Sequence, residues 1–74
     1  MDSSTLTPRQ SEVLRAIRRL TKQRRIPPTR RELAALFGVN IHAITGHLRS
    51  LEAHGAIELL PNVARGILVR ESAA

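Results

Sequence analysis

The feature that most restricts the fold of this chain is a pair of helix starts only eleven positions apart, at Thr29 and Asn40. Thr29 is followed three residues later by Glu32, which is the spacing of a capping box at a helix N-terminus. Asn40 is a second favoured N-cap, and Gly38 suits the left-handed residue that ends the preceding helix. We therefore predict a short helix, a tight turn at "GVN" and a longer helix over about 41–54.

Another helix is predicted before this pair, and a hairpin after it. Thr7, Pro8 and Gln10 form a capping box with proline at the first helical position. The segments "AIELL" and "ILV", separated by "PNVARG", predict a β-hairpin. We expect one domain over 1–74, ordered over about 6–70, that is mainly α with a small β-hairpin. Its predicted architecture is a three-helix winged helix-turn-helix.

The third predicted helix has one apolar and one outward face at about 100° per residue. The predicted buried stripe consists of Ile41, Ile44, Leu48 and Leu51. The residues predicted to face outward are His42, Thr45, Gly46, Arg49 and Ala53. In a helix-turn-helix protein the outward face of this helix lies in the major groove of DNA, with its N-terminal part at the base edges.

The charge of the chain favours a nucleic acid partner. The net charge is +6, and eleven of the twelve cationic residues are arginine, whose planar fork of donors matches phosphate oxygens and the guanine edge. Five cations fall on the outer face of the first helix: Arg15, Arg18, Arg19, Lys22 and Arg25. They indicate either a solvated face or contacts with a phosphate backbone. Phe37 is the only aromatic residue, which argues against base stacking on single strands and for duplex DNA.

Other function classes have little support in the sequence. There is no cysteine, no apolar run of membrane-spanning length and no signal-peptide pattern, so we expect a cytoplasmic protein without membrane contact. His42 and His47 are five positions apart, the wrong phase for two metal ligands on one helix face. The serines have no histidine that the sequence places beside them. We expect no enzyme activity, no catalytic residue, no metal and no cofactor.

Four segments carry a family resemblance. "LTPRQSEVLRAI", "IPPTRRELAALFG", "HLRSLEAHGAIEL" and "ARGI" resemble, in this order, the N-terminal DNA-binding domain of the LexA repressors over roughly residues 6–69. The resemblance implies a winged helix-turn-helix, sequence-specific binding of double-stranded DNA and a LexA-like repressor function in the SOS response. Family members bind inverted repeats as dimers, which implies an inverted-repeat operator here.

The expected DNA contacts combine both lines of reasoning. The resemblance places base-reading positions near Asn40, His42, Thr45 and Gly46, and the helix geometry independently favours His42 and Thr45, with Asn40 at the helix tip. Arg49 is expected to contact a phosphate or a guanine. The start of the second helix and the hairpin loop supply the expected backbone contacts, which are Thr29, Arg30, Arg31 and Arg65.

The chain departs from the family pattern at two places. The interval between Gly38 and His47 is about one residue shorter than usual, which affects the start of the recognition helix. The C-terminal peptidase domain, which carries most of the dimer contacts in the family, has no counterpart in the sequence. The chain is therefore either a DNA-binding domain separated from a longer protein or a free-standing LexA-like regulator. We expect a monomer that at most dimerises weakly on DNA.

Two alternatives stay open from the sequence. A winged helix can serve as a small protein-interaction module that acts on a polymerase or on another regulator, although such a module does not need a net charge of +6. RNA binding is the other alternative, and it would predict a preference for single strands.

Overall fold

Three helices followed by a two-stranded hairpin make up the part of the chain that the computed structural model describes, residues 6–70. The helices are α1 (Pro8–Arg24), α2 (Arg30–Phe37) and α3 (Ile41–Ala53). The strands are β1 (Ile57–Leu59) and β2 (Ile67–Val69), which pair antiparallel. This architecture confirms the predicted winged helix-turn-helix.

Each helix begins at the predicted N-cap. The hydroxyls of Thr7 and Thr29 accept hydrogen bonds from the backbone N–H three residues later, and in both cases the side chain at that third position accepts from the cap N–H. The Asn40 side chain accepts from the backbone N–H of Ala43 at 2.9 Å. Gly38 ends α2 at φ 67°, in the left-handed region. These local contacts fix where α2 stops and α3 starts, and thereby the tight turn between them.

The core lies where all three helices meet the hairpin. Its largest contributors from α3 are Ile44, Leu48 and Leu51, all fully buried. α1 packs its apolar side on α3, and β1 adds Ile57 to the same core. The remaining core residues are Val13, Leu14, Ala16, Ile17, Leu20, Leu33, Ala34 and Ile67. Because the buried side of α3 faces α1 and α2, its other side points away from the domain.

The hairpin, which we call the wing, spans 57–69 and is short and tightly closed. Its register pairs Glu58 with Leu68, and a further hydrogen bond joins the Leu60 N–H to the Gly66 carbonyl at 2.8 Å. A Cβ at Gly66 would stand 2.8 Å from the Leu60 carbonyl oxygen, which is closer than side chains tolerate. Glycine is therefore required at this position for the loop to fold back on β1.

Two placements from the sequence were wrong. Ile41, assigned to the buried stripe of α3, is 37% exposed. Its angular position on the helix is as predicted, but the first turn of α3 extends beyond the core toward the wing. Arg25 does not continue the cationic face of α1 as a helical residue, because it is the C-cap and adopts a left-handed conformation at φ 65°.

Candidate nucleic-acid interface

The outward side of α3 presents small polar and cationic side chains. His42, Gly46 and Arg49 are exposed, and Thr45 is partly buried at the edge of the same side. The other side of the helix carries the fully buried Ile44 and Leu48, which pack α3 against the core. An exposed helix face without large apolar side chains, supported by a rigid core, has the shape needed to enter a major groove.

Asn40 has two possible uses at the tip of α3. Its Oδ1 atom caps the helix by accepting from Ala43, and the residue itself is exposed. The Nδ2 group is a donor, so Asn40 can cap the helix and still donate to a base edge or a phosphate oxygen. The helix N-terminus adds its own partial positive charge at this point.

Gly46 has no packing function in the domain. It lies in the middle of α3, is exposed, and a Cβ built there would meet nothing within 4 Å in the described part of the chain apart from the backbone of its own helix. A glycine inside a helix costs about 1 kcal/mol relative to alanine. The fold therefore gives no reason for this residue, and the open space over it lies on the side of α3 that faces outward.

A cleft of about 450 Å³ runs between the start of α2, the start of α3 and the wing. Thr29, Arg30 and Arg31 line one wall, Ile41 lies at the first turn of α3, and the wing forms the other wall. The wing residues that line it are Leu59, Leu60, Val63, Ala64, Gly66 and Ile67. The structure thus brings the three predicted phosphate-binding residues of α2 together beside the wing.

The guanidinium groups on this side differ in how they are engaged. Arg30, Arg31 and Arg49 are exposed and make no ion pair with a carboxylate among residues 6–70. An arginine without an internal partner can bind phosphate without first breaking a contact within the domain. These three residues are therefore the ones best prepared to contact a DNA backbone.

Arg65, in contrast, is held inside the domain. Its Nη1 atom donates to the Pro27 carbonyl at 2.8 Å and to Glu32 Oε1 at 3.0 Å, and its Nη2 atom donates to Glu32 Oε2 at 3.0 Å. This bidentate pair ties the wing to the start of α2. A DNA contact by Arg65 stays a prediction, and in this arrangement the side chain also sets where the wing stands.

Glu32 is the acceptor that joins these parts. The Arg65 hydrogen bonds, together with the bond from the Thr29 N–H, lower the pKa of the Glu32 carboxyl to about 2. The hydrogen bonds with Glu32 in turn raise the pKa of Arg65. Arg24, at the end of α1, lies 3.7 Å from the same carboxylate. Sequence reasoning assigned Glu32 only its local capping function, because nothing in the spacing indicates a partner 33 positions away.

The cationic side of α1 does not join this interface. Arg15, Arg18, Arg19 and Lys22 are exposed, but they project from the side of α1 opposite the residues that pack on α3. The outward sides of α1 and α3 consequently point away from each other. Ile41 and Val63 are the large apolar side chains of the cleft that are exposed, at 37% and 52%, and the sequence did not assign either to the interface.

Comparison with known proteins identifies sequence relatives of this chain. The family model "LexA DNA binding domain" matches residues 3–66. The LexA repressor of Ralstonia pickettii is 46% identical over 68 residues, which cover 90% of this chain and 32% of that protein. The LexA repressor of Marinobacter nauticus is 47% identical over 68 residues, with 90% and 34% covered. That of Cupriavidus taiwanensis is 44% identical over 70 residues, with 93% and 32% covered.

The chain thus spans about a third of the length of these relatives. Among the helices in the described part of the chain, none has both the length and the apolar character that a bilayer crossing requires.

Proposed function

Because this chain belongs to the LexA DNA-binding domain family, we propose that it is the operator-binding part of a LexA-type transcriptional repressor. The matched relatives are named LexA repressors, and they are about three times as long as the chain. We therefore propose repression, an operator and an inducing signal for a full-length protein of the same type as these relatives. For this domain the proposed activity is sequence-specific binding of double-stranded DNA in the cytoplasm, without catalysis.

The observation that supports the proposal is the exposed side of α3, which carries Arg49 and begins beside the cations Arg30 and Arg31. His42, Thr45 and Gly46 would face base edges, while Arg49 extends the contact to a phosphate or a guanine. On one flank, Arg30 and Arg31 stand at the N-terminus of α2, where unpaired backbone N–H groups also favour phosphate. The wing lies on the other side of the cleft beside them.

The proposed division of roles follows from the side chains. Asn40, His42 and Thr45 carry hydrogen-bonding groups that can distinguish bases, whereas Arg30 and Arg31 bind phosphates of any sequence. Thr29 positions the first turn of α2 through its cap and can donate its hydroxyl proton to the same phosphate. Arg65 supports the wing through Glu32 and is proposed to contact the DNA flank with the rest of its guanidinium.

The proposed stoichiometry follows from the small number of phosphates that one domain can contact. If one domain neutralises about five phosphates, the logarithm of its affinity falls with the logarithm of salt concentration with a slope of about −4.5. One module of this kind binds weakly alone, and two on adjacent half-sites gain through effective concentration. We therefore propose a monomer in solution that occupies an inverted-repeat operator as a weak dimer.

The test begins with selection of bound sites from a random duplex library. Fluorescence anisotropy then compares the selected duplex with a random duplex for Thr45→Ala, Arg49→Ala and Arg30→Ala. We expect Thr45→Ala to lower affinity for the selected site by about 1–3 kcal/mol while leaving the random duplex nearly unchanged. Arg30→Ala should weaken both duplexes alike and reduce the salt slope by about one.

Arg19→Ala is the matched control, since it removes the same charge from the opposite side of the domain. It is expected to leave the preference for the selected site intact. If selection yields no enriched site, or if Thr45→Ala and Arg49→Ala lower the affinity for all sequences alike, the assignment of base readout to α3 is wrong.

Gly46→Ala addresses the interval in which the chain departs from its family. Because a Cβ at this position has open space, the substitution should stabilise the free domain by about 1 kcal/mol. If the helix backbone approaches the DNA closely here, the same variant binds the selected duplex more weakly. Unchanged DNA affinity together with higher stability would show that Gly46 takes no part in the contact.

A further inference from the structure

A second concave surface lies between the outer side of α1 and the C-terminal end of α2. We call it the α1–α2 groove and define it by Arg15, Arg18, Arg19, Lys22, Leu36 and Phe37. Its volume is about 790 Å³, larger than the cleft beside the wing. This volume is sufficient for several side chains of a bound peptide.

The rim of the groove carries cations without internal partners. None of Arg15, Arg18, Arg19 and Lys22 forms an ion pair within residues 6–70. The one carboxylate on the rim belongs to Glu12, and Arg9 pairs with it at 3.2 Å. Four like charges at the spacing of one helix face repel one another, so an anionic partner would relieve a cost that the free domain carries.

The floor of the groove is apolar. Leu36 is 50% exposed, whereas Leu33 and Ala34 of the same helix are buried. Phe37 is half-buried beside it and receives the Arg9 guanidinium over its ring, 5.4 Å from the centroid. A leucine and an aromatic ring at the base of a cationic groove favour a ligand that brings its own apolar side chains.

The groove is directed away from the proposed DNA contact. α1 and α3 pack on each other through their buried sides, so a duplex seated on the outward side of α3 lies across the domain from Arg19 and Lys22. On this packing, Arg19 and Lys22 are not expected to contact the phosphates of that duplex. A second duplex would neutralise the rim but would leave Leu36 and Phe37 without a complementary surface.

We propose that the α1–α2 groove binds an acidic segment of a partner protein that contains apolar side chains. Carboxylates of the segment pair with the four rim cations, and one or two of its apolar side chains pack on Leu36 and Phe37. This inference is independent of the DNA-binding proposal, because it uses other residues on the opposite side of the domain.

The test uses two fluorescein-labelled peptides of twelve residues, one of glutamate and aspartate with leucines at helical spacing and one in which serine replaces each leucine. Anisotropy measures both against the domain at low and moderate salt. We expect the leucine peptide to bind about ten-fold more tightly than the serine peptide. Arg19→Glu and Leu36→Ser should each weaken its binding by about ten-fold, and amide shifts in ¹⁵N spectra should fall on the groove.

Arg70→Glu is the matched control, because it reverses the same charge at the base of the wing. It should change the peptide affinity by less than about two-fold. Equal binding of the two peptides, no binding at low salt, or equal loss with Arg19→Glu and Arg70→Glu would each overturn the proposal. A duplex affinity that falls more with Arg19→Glu than with Arg70→Glu would show instead that the groove binds nucleic acid. Because Arg49→Ala impairs only the DNA contact, the two proposals fail separately.

Discussion

α1 and α2 begin with the same local structure but differ in what that structure is connected to. In α1 the Thr7 hydroxyl accepts from the Gln10 N–H, and the Gln10 side chain accepts from the Thr7 N–H, both at 3.1 Å. In α2 Thr29 and Glu32 make the same two hydrogen bonds at 3.0 Å. The first capping box ends there. The second also accepts two hydrogen bonds from Arg65 of the wing.

The difference lies in the chemistry of the third residue. An amide such as that of Gln10 has one acceptor oxygen and no charge, and its NH2 group is a donor that cannot accept from a guanidinium. The Glu32 carboxylate has two oxygens and a charge, so it can cap its own helix and still receive a bidentate guanidinium. A motif that is local in one helix thus becomes the tie between α2 and the wing, the two walls of the cleft that is proposed to face DNA.

Substituting Gln10 and Glu32 for each other's residue type should give the largest difference in stability between the two capping boxes. Glu32→Gln keeps an acceptor for the Thr29 N–H but removes the charge that Arg65 binds, so we expect a lower free energy of unfolding. Gln10→Glu places a negative charge in the first turn of α1, where the helix dipole favours it by about 0.3–1 kcal/mol. Urea unfolding at neutral pH should therefore show opposite signs for the two variants.

The control for this exchange is the double variant Glu32→Gln with Arg65→Ala. If the carboxylate acts through the wing, the second substitution costs less in the Glu32→Gln background than in the native chain. Additive losses would mean that Arg65 and Glu32 stabilise the domain independently, and the contrast between the boxes would then be local after all.

The second-largest difference between the two capping boxes should appear in the pH dependence of stability. The pKa of Glu32 lies at about 2 in the folded chain, below its ordinary value of 4.5, so its unfolded form binds a proton first as pH falls. The stability that the Glu32 carboxylate contributes to the fold is complete above about pH 4.5 and is lost as the pH falls from there through 2. Thermal unfolding should show this loss in the native chain, and Glu32→Gln should remove that part of the pH dependence. An unchanged pH profile would contradict the assignment.

Removing the hydroxyl of each N-cap threonine should give the smallest difference in stability between the two capping boxes. Thr7→Ala and Thr29→Ala each delete a hydrogen bond to the N–H of the third helical residue, and we expect each to cost about 1 kcal/mol. Because the hydroxyl acts only locally in both helices, the two losses should be nearly equal in urea unfolding. A much larger loss for Thr29→Ala would show that the hydroxyl also holds the wing through Glu32.

Most of the fold could be predicted because its boundaries are set by neighbouring residues. The three N-caps, the glycine that ends α2 and both strands were placed from short-range patterns, and the structure confirms them. The error at Ile41 has a physical reason. Periodicity gives the angle of a side chain around a helix, but it does not show how far along the helix the neighbouring elements extend.

The sequence predicted which residues of the candidate site are exposed better than it predicted how the cations around the site are arranged. The exposed side of α3 follows from the buried stripe on its other side, and the accessibility of His42, Gly46 and Arg49 agrees with it. The sequence did not separate the cations by use. Within residues 6–70 Arg30 and Arg49 make no ion pair and lie at or beside the side proposed to face DNA. Arg65 is engaged with Glu32, and Arg19 lies on the outer side of α1.

The sequence by itself determined the helices, their caps, the wing and the excess of positive charge, since each depends on residues a few positions apart or on composition alone. Only the tertiary structure decided which cations are paired inside the domain and on which side of it the others lie. The Glu32 and Arg65 side chains meet across 33 positions because the hairpin folds back on α2. The cations of α1 and the outward side of α3 are separated because the two helices pack on each other through their apolar sides. Such relations depend on which faces become buried together, and no local pattern contains that information.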